Sequence, residues 1–498
     1  MAILVFVLTF SGLPVVSADT TYTIQLTGTS TGHTYEAHPI FLGDLDPATN
    51  TLTNIRWAPG IWDSGKSRFG DAADKAASLS GKGDDSQEAR EFAQEISKYL
   101  SGGGRKTVSG QNGTTTISGL APGYYLIKEI HNNLYQKHEA YTRFMLQVAR
   151  DTTVAIKSDV PSLTKVTKSS TTGEETTITD YSIGDTVPFQ LTATLPRNLD
   201  DYSEYELSFN DSLMPGLTYN NDVQVYLKRG DEESLITDHF NISVESSRNL
   251  TIATNNLRQV PNVDTSSKIV VRYTAQLNQY ATTHASANTN MNVASLSFSN
   301  NPNTALAKSI GTTPQSKVQI HTYQLNVYKV DERGGALPGA EFTLYKKVND
   351  QYVKVGTTQE YKRSNFSGFK GLGSGDYKLV ETITPKGYNT MKDIEFSLRA
   401  TYDPTLPTTR TAIQATSDRA TFTYELINGI FTTKIVNKKG ALLPNTGGIG
   451  TTILYLVGTG FVLGAGVLWI VKKRVNKKIG LKQEVLNGRS VSSSIRRL

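Results

Sequence analysis

The 498-residue sequence contains no cysteine and only seven histidines, which are scattered along the chain. The lack of cysteine excludes disulfide cross-links, thiolate metal sites and cysteine nucleophiles, and so few histidines argue against a histidine-rich metal centre. The net charge of +6 is misleading, because residues 472–498 alone carry +8 while residues 1–18 and 447–471 carry no charge. Subtracting this +8 from the total leaves −2 for residues 19–446. That body lacks the basic surface that nucleic acid requires, so we predict no nucleic-acid partner.

Two apolar segments lie near the ends of the chain. The first covers residues 1–18 and ends in small residues, although it lacks the usual positive start. This pattern predicts a secretory signal that is cleaved after Ala18. The second covers residues 449–471, which is long enough to cross a membrane as a helix. The basic residues 472–474 follow it directly and predict a cytoplasmic end.

A pentapeptide stands just before the second apolar segment, and its residues are Leu443, Pro444, Asn445, Thr446 and Gly447. The proline favours an extended backbone at the residue before it, and the glycine leaves the preceding carbonyl unhindered. Pentapeptide, apolar span and basic end in this order resemble the cell-wall sorting signal of Gram-positive surface proteins. The resemblance implies that a membrane-bound sortase attacks the carbonyl of Thr446 and releases the chain from Gly447 onward. Here the tail runs on well past the basic cluster, where such signals usually stop.

The exported part is rich in Thr, Ser, Asn, Tyr and Val, and polar and apolar residues alternate in runs such as TVPFQLTATL and YQLNVYKV. This pattern predicts a mainly β chain built from several antiparallel sandwich domains of the immunoglobulin-like kind. Residues 71–100 differ, because apolar side chains recur there at helical spacing. These side chains are Ala89, Phe92, Ala93, Ile96 and Leu100. We therefore expect a helical insertion in the first domain.

Prolines at 161 and 314 stand beside repeated strand openings and mark two domain boundaries. No Pro- or Gly-rich linker joins the domains, which favours close stacking into an elongated rod. The predicted divisions are a signal peptide 1–18, an N-terminal domain 19–160, a middle domain 161–316, a C-terminal domain 317–440, and a sorting signal, membrane segment and basic tail 441–498.

In the C-terminal domain, three strands each aim a polar side chain at the apolar face. Alternation places Lys329 with Leu325 and Val327, Glu381 with Tyr377 and Leu379, and Asn437 with Phe431 and Ile435. A buried polar group without a partner is costly, so these three groups need one another. Burial favours a neutral amine, which is a nucleophile. Lys329 could attack the amide carbon of Asn437 and expel ammonia, with Glu381 moving the proton, to form an internal isopeptide bond.

The runs YKVD…GGALPGAEFTLYKK, YKLVETITPKGY and KIVNKKG resemble a Cna-B-type isopeptide domain of Gram-positive pilins and adhesins. The resemblance implies a cross-link between Lys329 and Asn437, with Glu381 promoting its formation. A salt bridge without covalent chemistry is the alternative.

The middle domain contains a similar set of three polar residues, with an aspartate in place of the glutamate. By alternation, Lys165, Asp211 and Asn292 each share a face with apolar neighbours. This set resembles the pilin middle domain in which Lys, Asp and Asn are bonded, which implies a Lys165–Asn292 cross-link promoted by Asp211. Lys168 and Asn290 are the nearest rivals. Lys168 lies on the opposite strand face, whereas Asn290 shares the parity of Asn292 and stays open.

One sequence segment of the first domain weakly resembles a segment of the third domain. ISGLAPGYYLIKE, which ends at Glu129, parallels KGLGSGDYKLVE, which ends at Glu381. The opening strand of the first domain, TYTIQLTGTS, contains no lysine, so the attacking amine is missing. We predict no internal bond there and a structural role for Glu129.

Taken over the whole chain, the resemblance best fits the major, or backbone, pilin of a streptococcal-type pilus. Such subunits need a lysine at the end of the first domain, to which a pilus sortase joins the threonine of the next subunit. The run DTTVAIKSDVP offers Lys157, with Ile156 where the pilin motif usually has proline. The implied polymer links Lys157 of one subunit to Thr446 of the next, head to tail. The alternative for Lys157 is an ordinary solvated lysine.

Two other functional classes stay open. One is an ancillary tip or base pilin, or a monomeric wall-anchored adhesin for host matrix. The other is a wall-anchored enzyme, but no Ser-His-Asp order, metal cluster, glycosidase-like carboxylate pair or phosphate loop stands out in residues 19–440. We predict a non-enzyme without cofactor or metal. Its expected partners are sortases, identical subunits, ancillary pilins, peptidoglycan and a host ligand, and its expected place is a surface pilus anchored to the cell wall.

Overall fold

The computed structural model describes most of the chain, and the signal segment that ends at Ala18 lies outside the described residues. The description covers 20–490 except 47–48, 50, 84–85, 131–133, 135–136, 286–287, 304–308, 358–365, 404–409 and 441–448. Three successive units of two β-sheets each are followed by one helix. The prediction of a mainly β chain of tandem sandwich domains is confirmed.

The described residues of the first domain form eight strands in two sheets. They are β1 Tyr22–Thr29, β2 Thr34–Asp46, β3 Thr51–Trp57, β4 Lys106–Ser109, β5 Gly113–Leu120, β6 Gly123–Ile130, β7 Arg143–Val148 and β8 Thr152–Ala155. One sheet has the order β5-β1-β8, and the other has β3-β2-β6-β7 with β4 paired to β2. Alternation along β1 and β6 buries Ile24, Leu26 and Ile127 between the sheets, where they form the domain core.

Three short helices lie between β3 and β4: α1 Asp63–Phe69, α2 Ala72–Leu79 and α3 Gln87–Ile96. Helix α3 begins after Ser86, whose hydroxyl accepts a hydrogen bond from the backbone of Ala89 at 3.2 Å. It buries Phe92, whose ring stacks on Phe41 at 5.7 Å. The insertion is therefore helical as expected, but it begins before the expected residues 71–100, at Asp63, and it is divided into separate helices. Gly70 ends α1 with a φ of 80°, and the next residue caps α2.

In the middle domain, the part of the chain that the structure describes forms fourteen strands. They are β9 Leu163–Lys168, β10 Glu175–Thr176, β11 Ile178–Asp180, β12 Thr186–Thr194, β13 Leu207–Leu213, β14 Leu217–Tyr219, β15 Gln224–Arg229, β16 Glu232–Leu235, β17 Asn241–Glu245, β18 Asn249–Thr254, β19 Lys268–Leu277, β20 Met291–Ser299, β21 Ile310–Thr312 and β22 Ser316–His321. One sheet has the order β10-β9-β12-β19-β15-β16, with β14 on β19. The other has β11-β22-β20-β13-β18-β17, with β21 on β20.

Strand β22 corrects one predicted boundary. It pairs with β20 and with β11, so residues 316–321 belong to the middle domain, which we expected to end at residue 316. The proline at 314 precedes the last strand of this domain, so the boundary lies after that strand and not at the proline. The chain then passes through Thr322 directly into the first strand of the third domain.

Outside residues 358–365 and 404–409, the third domain forms nine strands. They are β23 Tyr323–Val330, β24 Glu341–Val348, β25 Gln351–Thr357, β26 Phe366–Leu372, β27 Gly375–Ile383, β28 Ile394–Tyr402, β29 Arg410–Thr416, β30 Phe422–Glu425 and β31 Ile430–Val436. The sheets have the orders β26-β23-β31-β30 and β25-β24-β27-β28-β29. The first and last strands of the domain, β23 and β31, are therefore neighbours, and they run parallel.

Buried polar contacts join the domains. Between the middle and third domains, the Asp180 carboxylate accepts hydrogen bonds from the Tyr402 hydroxyl at 2.6 Å and the Ser374 hydroxyl at 2.8 Å. Between the first and middle domains, the Asn300 amide donates to the carbonyl oxygens of Leu134 and Glu139 at 3.0 and 3.1 Å. These contacts hold neighbouring domains directly against each other.

The last element, α4, spans Ile449–Ser490. Its stretch Leu456–Asn476 is long and apolar enough to cross a membrane. At 1.5 Å per residue this stretch measures about 31 Å, which matches the hydrocarbon core of a bilayer. The helix runs on through the basic residues that follow the predicted span 449–471, and no proline interrupts it.

Candidate functional site

The third domain brings its predicted lysine and asparagine together through the pairing of its first and last strands. Lys329 lies near the end of β23 opposite Ile435 of β31, and Asn437 follows β31 directly. The Asn437 backbone N–H donates to the carbonyl of Val330 at 3.0 Å and extends this pairing. Glu381 reaches the same place from β27 in the facing sheet.

The three side chains form one buried cluster. Lys329 Nζ lies 2.5 Å from Asn437 Oδ1 and 3.2 Å from Glu381 Oε1. Asn437 Nδ2 donates to both carboxylate oxygens of Glu381, at 2.8 and 3.0 Å. Lys329 and Asn437 are each 1% exposed, and Glu381 is 5% exposed. An amine, a carboxamide and a carboxylate thus touch one another out of contact with water.

Burial changes the protonation of this amine. Desolvation lowers the pKa of Lys329, and the nearby Glu381 carboxylate opposes the shift without cancelling it. The backbone N–H of Met391 donates to Glu381 Oε2 at 2.8 Å and fixes the carboxylate. The centre of the Phe342 ring lies 5.5 Å from Lys329 Nζ, so the ring packs against the amine. Burial therefore disfavours the charged form of this amine, which lies beside a carboxylate that is held in place.

The middle domain holds a second buried cluster between its two sheets. Lys165 Nζ, from β9, lies 2.5 Å from Asp211 Oδ2, from β13 of the facing sheet. Asn292 lies on β20, which pairs with β13 so that Asn292 stands opposite Leu213. Lys165, Asp211 and Asn292 are 1%, 2% and 0% exposed, respectively. Desolvation lowers the pKa of Lys165, and Asp211 opposes this shift.

A fourth residue, Tyr273 of β19, lies at the centre of this cluster and was not predicted. Its hydroxyl accepts hydrogen bonds from Lys165 Nζ at 2.9 Å and from Asn292 Nδ2 at 2.6 Å. It donates to Asp211 Oδ2 at 2.6 Å. Alternation along β19 puts Tyr273 on the buried face with Val271 and Ala275. That signal fits any core tyrosine, so the sequence alone did not single it out.

The two rival residues lie elsewhere. Lys168 is exposed at the end of β9. Asn290 is buried, but its amide is paired with the backbone of Thr282, accepting from N–H at 2.9 Å and donating to C=O at 2.7 Å. Among the candidates for the middle domain, the structure gathers Lys165, Asp211 and Asn292.

In the first domain, Glu129 is buried beside a histidine. Its Oε1 lies 2.5 Å from His33 Nδ1, and its Oε2 accepts from the Thr142 backbone at 3.4 Å. The other ring nitrogen of His33 lies 3.6 Å from Glu139. The facing strand β1 contains no lysine. This site thus has a buried acid with hydrogen-bond partners. The opening strand, which supplies the lysine in the third domain, supplies no amine here.

Lys157 lies two residues beyond β8, at a cleft of about 390 Å³ between the first and middle domains. Its Nζ lies 5.3 Å from the ring centre of Phe144. Its backbone N–H donates to the Thr142 hydroxyl at 2.9 Å. The preceding Ile156 donates its own N–H to the carbonyl of Thr27 at 3.0 Å. A proline at 156 would lack this N–H, so the isoleucine extends the strand pairing up to Lys157.

The pentapeptide of the predicted sorting signal lies outside the described residues, and its members are Leu443, Pro444, Asn445, Thr446 and Gly447. Comparison with family models nevertheless finds an LPXTG cell wall anchor motif over residues 435–478. It also finds a prealbumin-like fold domain over residues 323–411. The second match falls within the third domain and covers the strands that carry Lys329 and Glu381.

Two known proteins resemble most of the chain. The trypsin-resistant surface T6 protein of Streptococcus pyogenes serotype M6 is 25% identical over 396 residues, which cover 65% of this chain and 70% of that protein. The solved structure of the T6 backbone pilin of that serotype, described as a modular three-domain structure, matches with a TM-score of 0.53 and 19% identity. The match covers 85% of this chain and 100% of that one. The chain thus carries an LPXTG cell wall anchor, which indicates a protein anchored at the surface of a Gram-positive cell. It is similar in sequence to the streptococcal T6 protein and shares the fold of the T6 pilin structure.

Proposed function

We propose that this protein is the backbone subunit of a covalent pilus, stabilised by two self-formed isopeptide bonds. One bond joins Lys329 to Asn437, and the other joins Lys165 to Asn292. The observation that carries the proposal is the Lys329 cluster, because its reacting groups lie in contact on the first strand of the domain and directly after its last strand. A fibre subunit under tension needs a link at that place.

The chemistry in the third domain begins with a proton transfer. The Lys329 ammonium can pass a proton to Glu381 Oε1 over 3.2 Å, which leaves a neutral amine and a carboxylic acid. Rotation of the Asn437 amide then turns its carbonyl oxygen toward the acid, which polarises it. The amine attacks the carboxamide carbon, and the nitrogen of Asn437 leaves as ammonia with the proton that the amine gives up. Glu381 relays that proton.

The position of this bond explains its mechanical value. The cross-link closes a loop of 108 residues, and almost all of the domain lies within that loop. Tension that enters near Tyr323 leaves past Asn437 through covalent bonds, without pulling the sheets apart. A cysteine-free protein obtains in this way what a disulfide would provide, without sensitivity to reductants.

Intact mass measures both bonds. The secreted protein should weigh two ammonia molecules less than its sequence predicts, because each bond expels one. Glu381→Ala and Asp211→Ala should each restore the mass of one ammonia, apart from the substitution itself. Glu129→Ala is the matched control, since it removes a buried acid where no lysine is available. A parent mass equal to the sequence value would contradict the proposed bonds.

Polymerisation tests the subunit's role in the pilus. Sortase transfer should join Thr446 of one subunit to the Lys157 amine of the next. Cells that express the protein with its pilus sortase should yield a ladder of polymers that resist sodium dodecyl sulfate. Lys157→Ala should leave monomer only, whereas Lys168→Ala, at an exposed lysine of the middle domain, should keep the ladder. A ladder that persists in Lys157→Ala would move the linkage to another lysine. A parent protein that stays monomeric would favour an ancillary pilin or a monomeric wall-anchored adhesin.

A further inference from the structure

The two buried clusters connect their acid to the asparagine differently. In the third domain both oxygens of Glu381 bond directly to Asn437 Nδ2, at 2.8 and 3.0 Å. In the middle domain the acid is Asp211, whose side chain is one methylene shorter. There the Asn292 amide nitrogen donates to the Tyr273 hydroxyl at 2.6 Å, and that hydroxyl donates to Asp211 Oδ2 at 2.6 Å. The phenol thus occupies the gap that the shorter acid leaves.

We propose that Tyr273 is a catalytic residue of isopeptide formation in the middle domain, where its hydroxyl relays a proton between Asp211 and the leaving nitrogen of Asn292. This inference rests on the proposed Lys165–Asn292 bond and adds to it a residue and a role.

The surroundings of Tyr273 hold its hydroxyl in one place. The side chain is 2% exposed, and its ring packs against Phe189 at 5.5 Å and Tyr219 at 5.7 Å. Strand β19 is paired along its length with β12, which holds the backbone that carries the ring. Burial raises the pKa of the phenol well above its usual range, so the hydroxyl keeps the proton that a relay needs.

The hydrogen bonds of this hydroxyl differ from those of the other buried tyrosines. All three of its recorded partners are a reacting atom or the promoting acid: Lys165 Nζ, Asn292 Nδ2 and Asp211 Oδ2. By contrast, the Tyr377 hydroxyl of the third domain donates to the backbone carbonyl of Gly373 and ties a turn. Tyr273 therefore contacts the groups that change during the reaction, as a relay must.

The relay balances atoms and protons. A proton first passes from the Lys165 ammonium to Asp211, 2.5 Å away, and leaves a neutral amine and a carboxylic acid. The amine nitrogen then bonds to Cγ of Asn292. As the Cγ–Nδ2 bond breaks, the Tyr273 hydroxyl gives its proton to Nδ2 and takes one from Asp211, which in turn takes the surplus proton of the Lys165 nitrogen. Ammonia leaves, the tyrosine ends as it began, and Asp211 ends as the carboxylic acid that the first transfer formed. No oxidant or reductant is required.

Tyr273→Phe tests the relay, because it keeps the ring packing and removes only the hydroxyl. Loss of a positioned acid–base group costs about 100-fold or more in rate. The secreted variant should therefore lack one ammonia only, and its middle-domain bond should appear on incubation at least about 100-fold more slowly than in the parent. The third-domain bond is an internal control for folding. Tyr219→Phe is the matched control, because the hydroxyl of this neighbour accepts from the Val223 backbone and lies outside the cluster.

A second variant tests the geometric reason for the tyrosine. In Tyr273→Phe combined with Asp211→Glu, the longer acid can reach Asn292 directly, as Glu381 reaches Asn437. This variant should recover the middle-domain bond, as seen by intact mass and by the cross-linked tryptic peptide. If it forms no bond, the inference that the hydroxyl spans the missing methylene is overturned.

The outcomes separate the relay from the function on which it rests. A parent protein without the Lys165–Asn292 peptide would refute the proposed bond itself. A parent with that bond, together with a Tyr273→Phe variant that forms it at the parental rate, would refute the relay alone.

Discussion

Lys329→Met should abolish the third-domain cross-link while keeping the core packed. Methionine replaces the apolar stem of the buried lysine and removes the amine, and Glu381 retains its hydrogen bonds to Asn437 and to the Met391 backbone. The variant should therefore fold and show a deficit of one ammonia, which comes from the middle domain. Its third domain should be markedly less stable than that of the parent.

The expected loss of stability follows from the length of the loop that the bond closes. The bond would join residues 108 apart in sequence, and in the chain-entropy model a loop of this length reduces the freedom of the unfolded chain by about 5 kcal/mol at 25 °C. For a domain of this size, each kcal/mol shifts the melting temperature by roughly 3–6 °C. The third-domain transition of Lys329→Met should therefore fall by roughly 15–30 °C.

Calorimetry of the secreted three-domain protein can follow this transition, with intact mass measured on the same sample. Lys434→Met is the matched control, because it makes the same substitution at an exposed lysine on the neighbouring strand β31. The control should keep both the mass deficit and the melting temperature. If Lys329→Met gains one ammonia but melts within about 3 °C of the parent, the argument from the unfolded chain is wrong. An unchanged deficit would show that the bond lies elsewhere.

Two further predictions concern the first domain and the junction of the last two. Glu129→Gln should leave the deficit at two ammonia molecules, because strand β1 supplies no lysine, and a change in that deficit would reveal a third bond. Burial, and to a lesser extent Arg410, lowers the pKa of His321 to about 3, which is below the ordinary value. Above pH 6.5 the histidine is neutral in both the folded and the unfolded chain and does not change stability with pH. Below pH 6.5 the unfolded chain binds a proton that the folded chain does not, so His321 opposes folding increasingly as the pH falls toward 3. At pH 3 the cost is about 4 kcal/mol, so His321→Phe should flatten the fall in melting temperature between pH 6.5 and 3.5, and an unchanged fall would refute this assignment.

The sequence alone determined the features that depend on local pattern. Alternation has a period of two in any strand, so it fixed the buried face for Lys329, Glu381 and Asn437 before their strands were paired. The LPNTG motif, the apolar span and the basic end are linear signals, and the family match over residues 435–478 agrees with them. Helical spacing likewise indicated α3.

Tertiary structure decided the remaining features. Alternation along a strand shows which face of the sheet a residue lies on, but it does not show which residues of the facing sheet it contacts. Asn290 and Asn292 share a parity, yet only Asn292 reaches the Lys165 cluster, while a loop backbone holds Asn290. Strand β22 joined the middle domain through pairing with β20, although a proline precedes it. The role of Tyr273 could be recognised only from the packed sheets, where its hydroxyl contacts three polar groups. Contacts between distant strands depend on strand register and sheet packing, which no local sequence pattern encodes.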